Sequence, residues 1–208
     1  MMARKFSPFI TGILFLIFSI LGCSGLQKEP MAKQYFDLSI QVPVASKDSL
    51  CKGETLIIKE FSINSAFDSH SFIYKVGENE YITDYYSEFI SYPSKLITEK
   101  TSEALYGSTH FRPSLTNNKK DITYRLSGKI IRLSGDFSDK NNTRAAIELM
   151  LILEKKTGSG FTPVLIDTYM ADEPVPDKEP SSLVSGWNLG LSKILVQFIT
   201  EFQHLPAS

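Results

Sequence analysis

The most constraining feature of this 208-residue chain is a set of three alternating segments in its second half. Residues 122–133 place Ile122, Tyr124, Leu126 and Ile130 on one side. Residues 145–154 do the same through Ile147, Leu149, Leu151 and Leu153. A shorter run follows at 162–170, after the turn sequence Gly158-Ser159-Gly160. A two-residue period is that of a strand with one buried face. Polar turns at 136–142 and 155–160 join the three, which predicts an antiparallel meander. Two earlier segments, 71–76 and 81–85, flank Gly77-Glu78-Asn79-Glu80 and predict a hairpin. Residues 34–41 and 55–61 supply two more strands.

Two helices complete the pattern. Proline tolerates the first helical turn, so Pro93 opens a helix with Leu96, Ile97, Thr101, Ala104 and Leu105 on one face and Gly107 as its stop. A C-terminal helix carries Val184, Trp187, Leu191, Ile194, Leu195, Phe198 and Phe202 at three- and four-residue steps, with Ser181 or Ser182 as the expected cap. Gly186 and Gly190 lie beside that stripe. Each costs about 1 kcal/mol of helix propensity, so either backbone approaches the sheet closely there or the first turn frays. The expected fold is α+β: one domain with a mostly antiparallel sheet packed against two main helices.

The N-terminus obeys different rules. Residues 1–22 hold Arg4 and Lys5, no acid, and an apolar run from Phe9 to Leu21. As a helix, that run is about 20 Å long, short of a hydrocarbon core of roughly 30 Å. A basic start with an apolar run of this length reads as an export signal. Ile20-Leu21-Gly22-Cys23 resembles a bacterial lipobox, with cleavage after Gly22 and lipid on Cys23. Ser24 follows the cysteine, where an aspartate would retain the protein at the inner membrane, and so suggests sorting to the outer membrane. The resulting organisation is a signal peptide at 1–22, a lipidated tether at 23–34 and a periplasmic domain at 35–204.

Charge and cysteine content narrow the function. The chain has 22 Lys and Arg against 23 Asp and Glu. Removing Arg4 and Lys5 with the signal leaves 20 against 23, a net charge of −3. Neutralising phosphates needs a basic surplus, so a nucleic-acid binder is excluded. Cys51 would be the only thiol left after lipidation of Cys23, and a buried apolar role fits it better than metal ligation. No nucleophile elbow, phosphate loop or metal-binding spacing occurs. His70, His110 and His204 each stand alone. The expectation is a protein that is not an enzyme and holds no metal or cofactor beyond the covalent lipid. The acidic residues Glu78, Glu80, Asp84 and Glu88 read as a solvated face. Tyr81, Tyr85, Tyr86, Phe89 and Tyr92 form an aromatic cluster, either packed between hairpin and helix or exposed to bind a partner.

The order of elements resembles the ABC-type transport auxiliary lipoproteins, the family of paraquat-inducible protein C. The likeness rests on a strand before a tyrosine-bearing hairpin (Phe72-Ile73-Tyr74 and Tyr81 to Tyr85), the Tyr92-Pro93 helix opening, the run Asp121-Ile122-Thr123-Tyr124-Arg125-Leu126-Ser127-Gly128, and a last helix ending Ile199-Thr200-Glu201-Phe202. A tryptophan more usual in the family is here Tyr92. The resemblance implies a docking subunit held at the outer membrane by Cys23. It would contact a periplasmic mammalian-cell-entry protein of a lipid transporter, and self-association stays open. The alternative is a lipoprotein that itself binds a lipid or small apolar ligand.

Overall fold

The computed structural model describes residues 31–42, 53–109, 111–114, 122–158 and 160–205. The expected signal peptide with Gly22, the expected lipidation site Cys23, the expected tether before Met31, and Cys51 all lie outside the described residues. The chain divides into two compact units, Met1–Ala32 and Lys33–Ser208, and every described element belongs to the second.

Nine strands form one sheet among the described residues. They are β1 (Gln34–Phe36), β2 (Thr55–Ile58), β3 (Ser62–Ile63), β4 (Ser71–Lys75), β5 (Tyr81–Phe89), β6 (Arg112–Pro113), β7 (Tyr124–Asp136), β8 (Arg144–Thr157) and β9 (Gly160–Pro174). Helix α1 spans Pro93–Ser108, and α2 spans Pro180–Gln203. The α+β single domain read from the pattern is present. The meander is β7, β8 and β9, antiparallel in sequence. The predicted hairpin is β4 and β5, closed where the Val76 amide donates to the Glu80 carbonyl at 2.9 Å.

Parallel pairing is the part that periodicity does not reveal. One edge of β7 pairs with β8 along its length. Its other edge is shared in succession by β2, β3 and β4, all parallel to it. The expected 55–61 strand therefore breaks after Ile58. Phe61 turns into the core, and its amide donates to Thr98 Oγ1 on α1 at 2.8 Å. β1 lies parallel to β5 and covers only part of the expected 34–41 strand. Beyond it, the amides of Ser39 and Gln41 donate to Asn188 Oδ1 and Ser192 Oγ on α2, so they need no strand partner.

The core lies between the sheet and the helices. Trp187, Leu191 and Leu195 of α2 are fully buried against Ile147, Leu149 and Leu151 of β8. The expected serine cap is not used. Glu179 occupies the cap position without a side-chain bond, and Pro180 takes the first helical position, where its missing N–H costs nothing. Ser182 is already inside the helix, its amide donating to the Glu179 carbonyl at 3.0 Å.

Gly186 and Gly190 mark close approach, not fraying. A Cβ on Gly186 would sit 2.5 Å from Ala145 Cβ and 3.0 Å from Val175 Cγ1, and one on Gly190 would meet Ile147 Cγ2 at 3.0 Å. This sets two effects of Gly186→Ala against each other. Helix propensity gains about 1 kcal/mol, while forcing a methyl into a filled space costs about 1–3 kcal/mol. The neighbours are a Cβ and a short branched side chain with little room to move, so the clash wins. Gly186→Ala is expected to lower the denaturation midpoint. Gly107→Ala, where nothing lies within 4 Å of the new methyl, is expected to leave it unchanged or raise it.

Candidate docking surfaces

The structure splits the aromatic cluster three ways. Phe89 belongs to the core: it is 3% exposed, with its ring 4.5 Å from that of Phe72 and 5.3 Å from that of Trp187. Its assignment to a partner surface is thereby corrected. Strand alternation turns Phe89 inward along with Ser87. Tyr81 sits at the opposite end of β5, edge-on to Phe67 at 6.0 Å. Tyr85, Tyr86 and Tyr92 are exposed.

Residues that the sequence pattern left unnoticed join these three. Parallel pairing sets Tyr35 of β1 opposite Glu88 and leaves its ring 61% exposed. The Ile90 amide donates to the Phe36 carbonyl at 2.8 Å, which holds exposed Ile90 beside the end of β1. The Lys33 ammonium lies 4.6 Å from the centre of the Tyr85 ring and pairs with Glu88. That hydrogen bond raises the Lys33 pKa above its ordinary value. The His70 ring packs 4.0 Å from Tyr92, at the start of α1.

Asp84 holds the centre of this surface. Ser71 pairs with Glu88 but Ile73 pairs with Thr83, so β5 takes five steps where β4 takes two. The extra residues form a bulge. Asp84 Oδ1 accepts the amides of Tyr86 at 2.7 Å and Ser87 at 3.2 Å, and Oδ2 accepts the Tyr74 hydroxyl at 2.6 Å. Partial burial opposes the charge on Asp84, but these donors outweigh it and lower its pKa. Burial, with Asp84 adding to it, raises the Tyr74 phenol far above its usual range. The bulge brings the rings of the consecutive residues Tyr85 and Tyr86 edge to face, 5.2 Å apart. The expected solvated acidic run is therefore divided: Asp84 is a structural acceptor and Glu88 is an ion-pair partner. The sequence holds a signal for this, an aspartate two residues before a free amide, as in an Asx turn.

A second exposed apolar surface lies at the other edge of the sheet. Pairing runs β1–β5–β4–β7–β8–β9, so β1 and β9 are opposite edges, five strand spacings or roughly 24 Å apart. On β9, Tyr169 and Ala171 face α2, and the alternate residues Ile166 and Met170 face away, 59% and 64% exposed. Ile152 of β8 is directly opposite Ile166, and Met150 lies two residues along. Ion pairs border them: Arg125 with Glu154 at 2.6 Å, and Arg132 with Asp172 at 2.7 Å. Along the free edge of β9 the Thr168 amide donates to its neighbour Asp167 Oδ1 at 2.7 Å, which blunts strand addition at that point.

No helix among the described residues is long and apolar enough to cross a membrane. The features define a filled α+β scaffold that displays aromatic side chains at one sheet edge and aliphatic ones at the other. No protein-family model matches the sequence, and no curated protein matches it. Solved structures do share the fold. Protein XCC0632 from Xanthomonas campestris, described under the family DUF330, is similar with a TM-score of 0.67 and 13% identity, over 80% of this chain and 92% of that one. An uncharacterized protein matches with a TM-score of 0.63 at 9% identity, over 82% and 99%. The hypothetical protein CT253 from Chlamydia trachomatis matches with a TM-score of 0.50 at 8% identity, over 74% and 97%. At these identities the likeness is one of fold.

Proposed function

We propose that this chain is an outer-membrane lipoprotein that serves as a non-catalytic docking subunit of an ABC-type lipid transport system carrying mammalian-cell-entry domains. The observation that carries the reading is the placement of two exposed apolar surfaces at opposite edges of one rigid sheet. An adaptor between a membrane and a protein complex needs two such faces. The domain begins at Lys33, beside β1, and the β9 face lies at the opposite edge of the sheet. An apolar centre of Ile166, Met170, Ile152 and Met150 inside a rim of ion pairs has the anatomy of a protein interface. The periplasmic mammalian-cell-entry protein is its proposed partner.

The competing reading, a lipid held between sheet and helices, has the packing against it. Trp187 and Phe72 are fully buried there with rings 4.9 Å apart, and the α2 glycines already bring backbone against side chains of the sheet. The test is co-purification of the full chain with the mammalian-cell-entry protein. Ile166→Ser with Met170→Ser is expected to weaken that binding by about tenfold or more. Their stability effect should stay within about 0.5 kcal/mol, because both side chains are mostly in solvent. Recovery of stoichiometric lipid with the chain, and no binding to the transporter protein, would sink the docking reading.

A further inference from the structure

The tyrosine edge faces a different occupant. We infer that Tyr35, Tyr85, Tyr86, Ile90 and Tyr92 rest on the lipid surface that holds the acyl chains of Cys23, so that the domain lies on the membrane by its β1–β5 edge. The inference rests on the anchored reading above.

Three observations lead to it. The first is covalent continuity: Lys33, ten residues past Cys23, leads directly into β1, so the tether joins the domain at this edge of the sheet. The exposed rings begin at that junction, with Tyr35 two residues on and Tyr85 under the Lys33 ammonium. The second is chemistry. Tyr85 is 68% exposed, Ile90 62% and Tyr92 54%. Tyrosine with an aliphatic neighbour suits the headgroup boundary, where a ring meets acyl carbon and its hydroxyl stays wet. The third is rigidity. The Asp84 bulge and the Lys33–Glu88 pair fix the two central rings before any contact, so little ordering entropy is lost on binding.

A patch of five residues is small for a partner met from bulk solution. It is sufficient for a surface met through a tether, because linkage raises the effective concentration of the second contact to the millimolar range for short linkers. The charge at this edge also bears on the occupant. Glu88 neutralises Lys33, so the contact is aromatic and aliphatic and gains little from anionic lipid. It should therefore ignore salt, unlike a polybasic membrane patch.

The experiment uses the full acylated chain in vesicles of phosphatidylethanolamine and phosphatidylglycerol whose acyl chains carry bromine. Two variants each add one indole, Tyr85→Trp and Ile166→Trp. The native Trp187 is fully buried and out of reach of the quencher, so it reports that the fold is intact. Tyr85→Trp is expected to lose about half of the emission its new indole adds, at a depth near the headgroup boundary. Ile166→Trp is expected to lose none, and both results should hold from low to high salt. Unquenched Tyr85→Trp in chain that floats with the vesicles would overturn the inference while leaving the anchor standing. So would shielding of that indole only when the mammalian-cell-entry protein is added, or quenching of both positions alike. Quenching that disappears in high salt would overturn the uncharged contact. Chain that fails to float at all would sink the anchor, and this contact with it.

Discussion

Trp187→Ala is expected to destabilise the domain by about 3–5 kcal/mol, the usual range for deleting a large buried aromatic. Trp187 has 0% exposure and sits where α2, β4, β5 and β7 meet. Its ring lies 4.9 Å from Phe72 and 5.3 Å from Phe89, and its Nε1–H donates to the Ser134 carbonyl at 3.3 Å. Alanine removes the packing of α2 on three strands and leaves that carbonyl without its indole partner. The surroundings cannot collapse easily. Gly186, next in sequence, already stands in contact with Ala145 and Val175, so α2 has no room to shift toward the sheet at that turn. A loss of this size approaches the whole stability of an ordinary domain. Chemical denaturation followed by circular dichroism checks it, and a change below about 1 kcal/mol would show that the cavity relaxes.

The second large effect is on location. Cys23→Ala is expected to abolish acyl labelling and move the protein from the membrane fraction to the soluble one. One acyl chain of myristoyl length gives only marginal, reversible attachment, while two or more hold firmly, at about 0.8 kcal/mol per buried methylene. Three chains, as the lipobox resemblance implies, make the anchor permanent on any cellular timescale. No exposed patch among the described residues can replace that energy. The tyrosine edge offers a handful of exposed rings, useful only once the tether has brought it to the surface. Membrane fractionation with acyl labelling reads the outcome. Retention without labelling would mean that the apolar run at 9–21 stays uncut and anchors the chain itself.

These two residues were legible to very different degrees. The expectation at Cys23 rests on its sequence neighbours alone, because a lipobox is a local pattern. Trp187 was legible as one member of an apolar stripe, but nothing in the stripe tells which of its residues meets three elements at once. The same division runs through the fold. The β4–β5 hairpin and the β7–β8–β9 meander follow from two-residue periodicity and short polar turns, since near neighbours in sequence pair directly. The parallel neighbours of β7 do not, because β2, β3 and β4 reach it through connections whose path local pattern leaves free.

The candidate surface shows the limit most clearly. An aromatic cluster at 81–92 was visible, but one strand cannot say which of its rings the rest of the molecule will cover. Strand alternation and the core took Phe89, while the Asp84 bulge put Tyr85 and Tyr86 side by side. Lys33 and Tyr35 joined them only because β1 lies parallel to β5, more than fifty residues away in sequence. What the sequence by itself determined is the α+β class of the domain, because it rests on local period; the export signal before it is an expectation from local composition. Which side chains share a surface, and whether Gly186 is a weakness or a requirement, only the tertiary structure decided. Both depend on which distant segments come within contact distance, a property that no window of the chain contains.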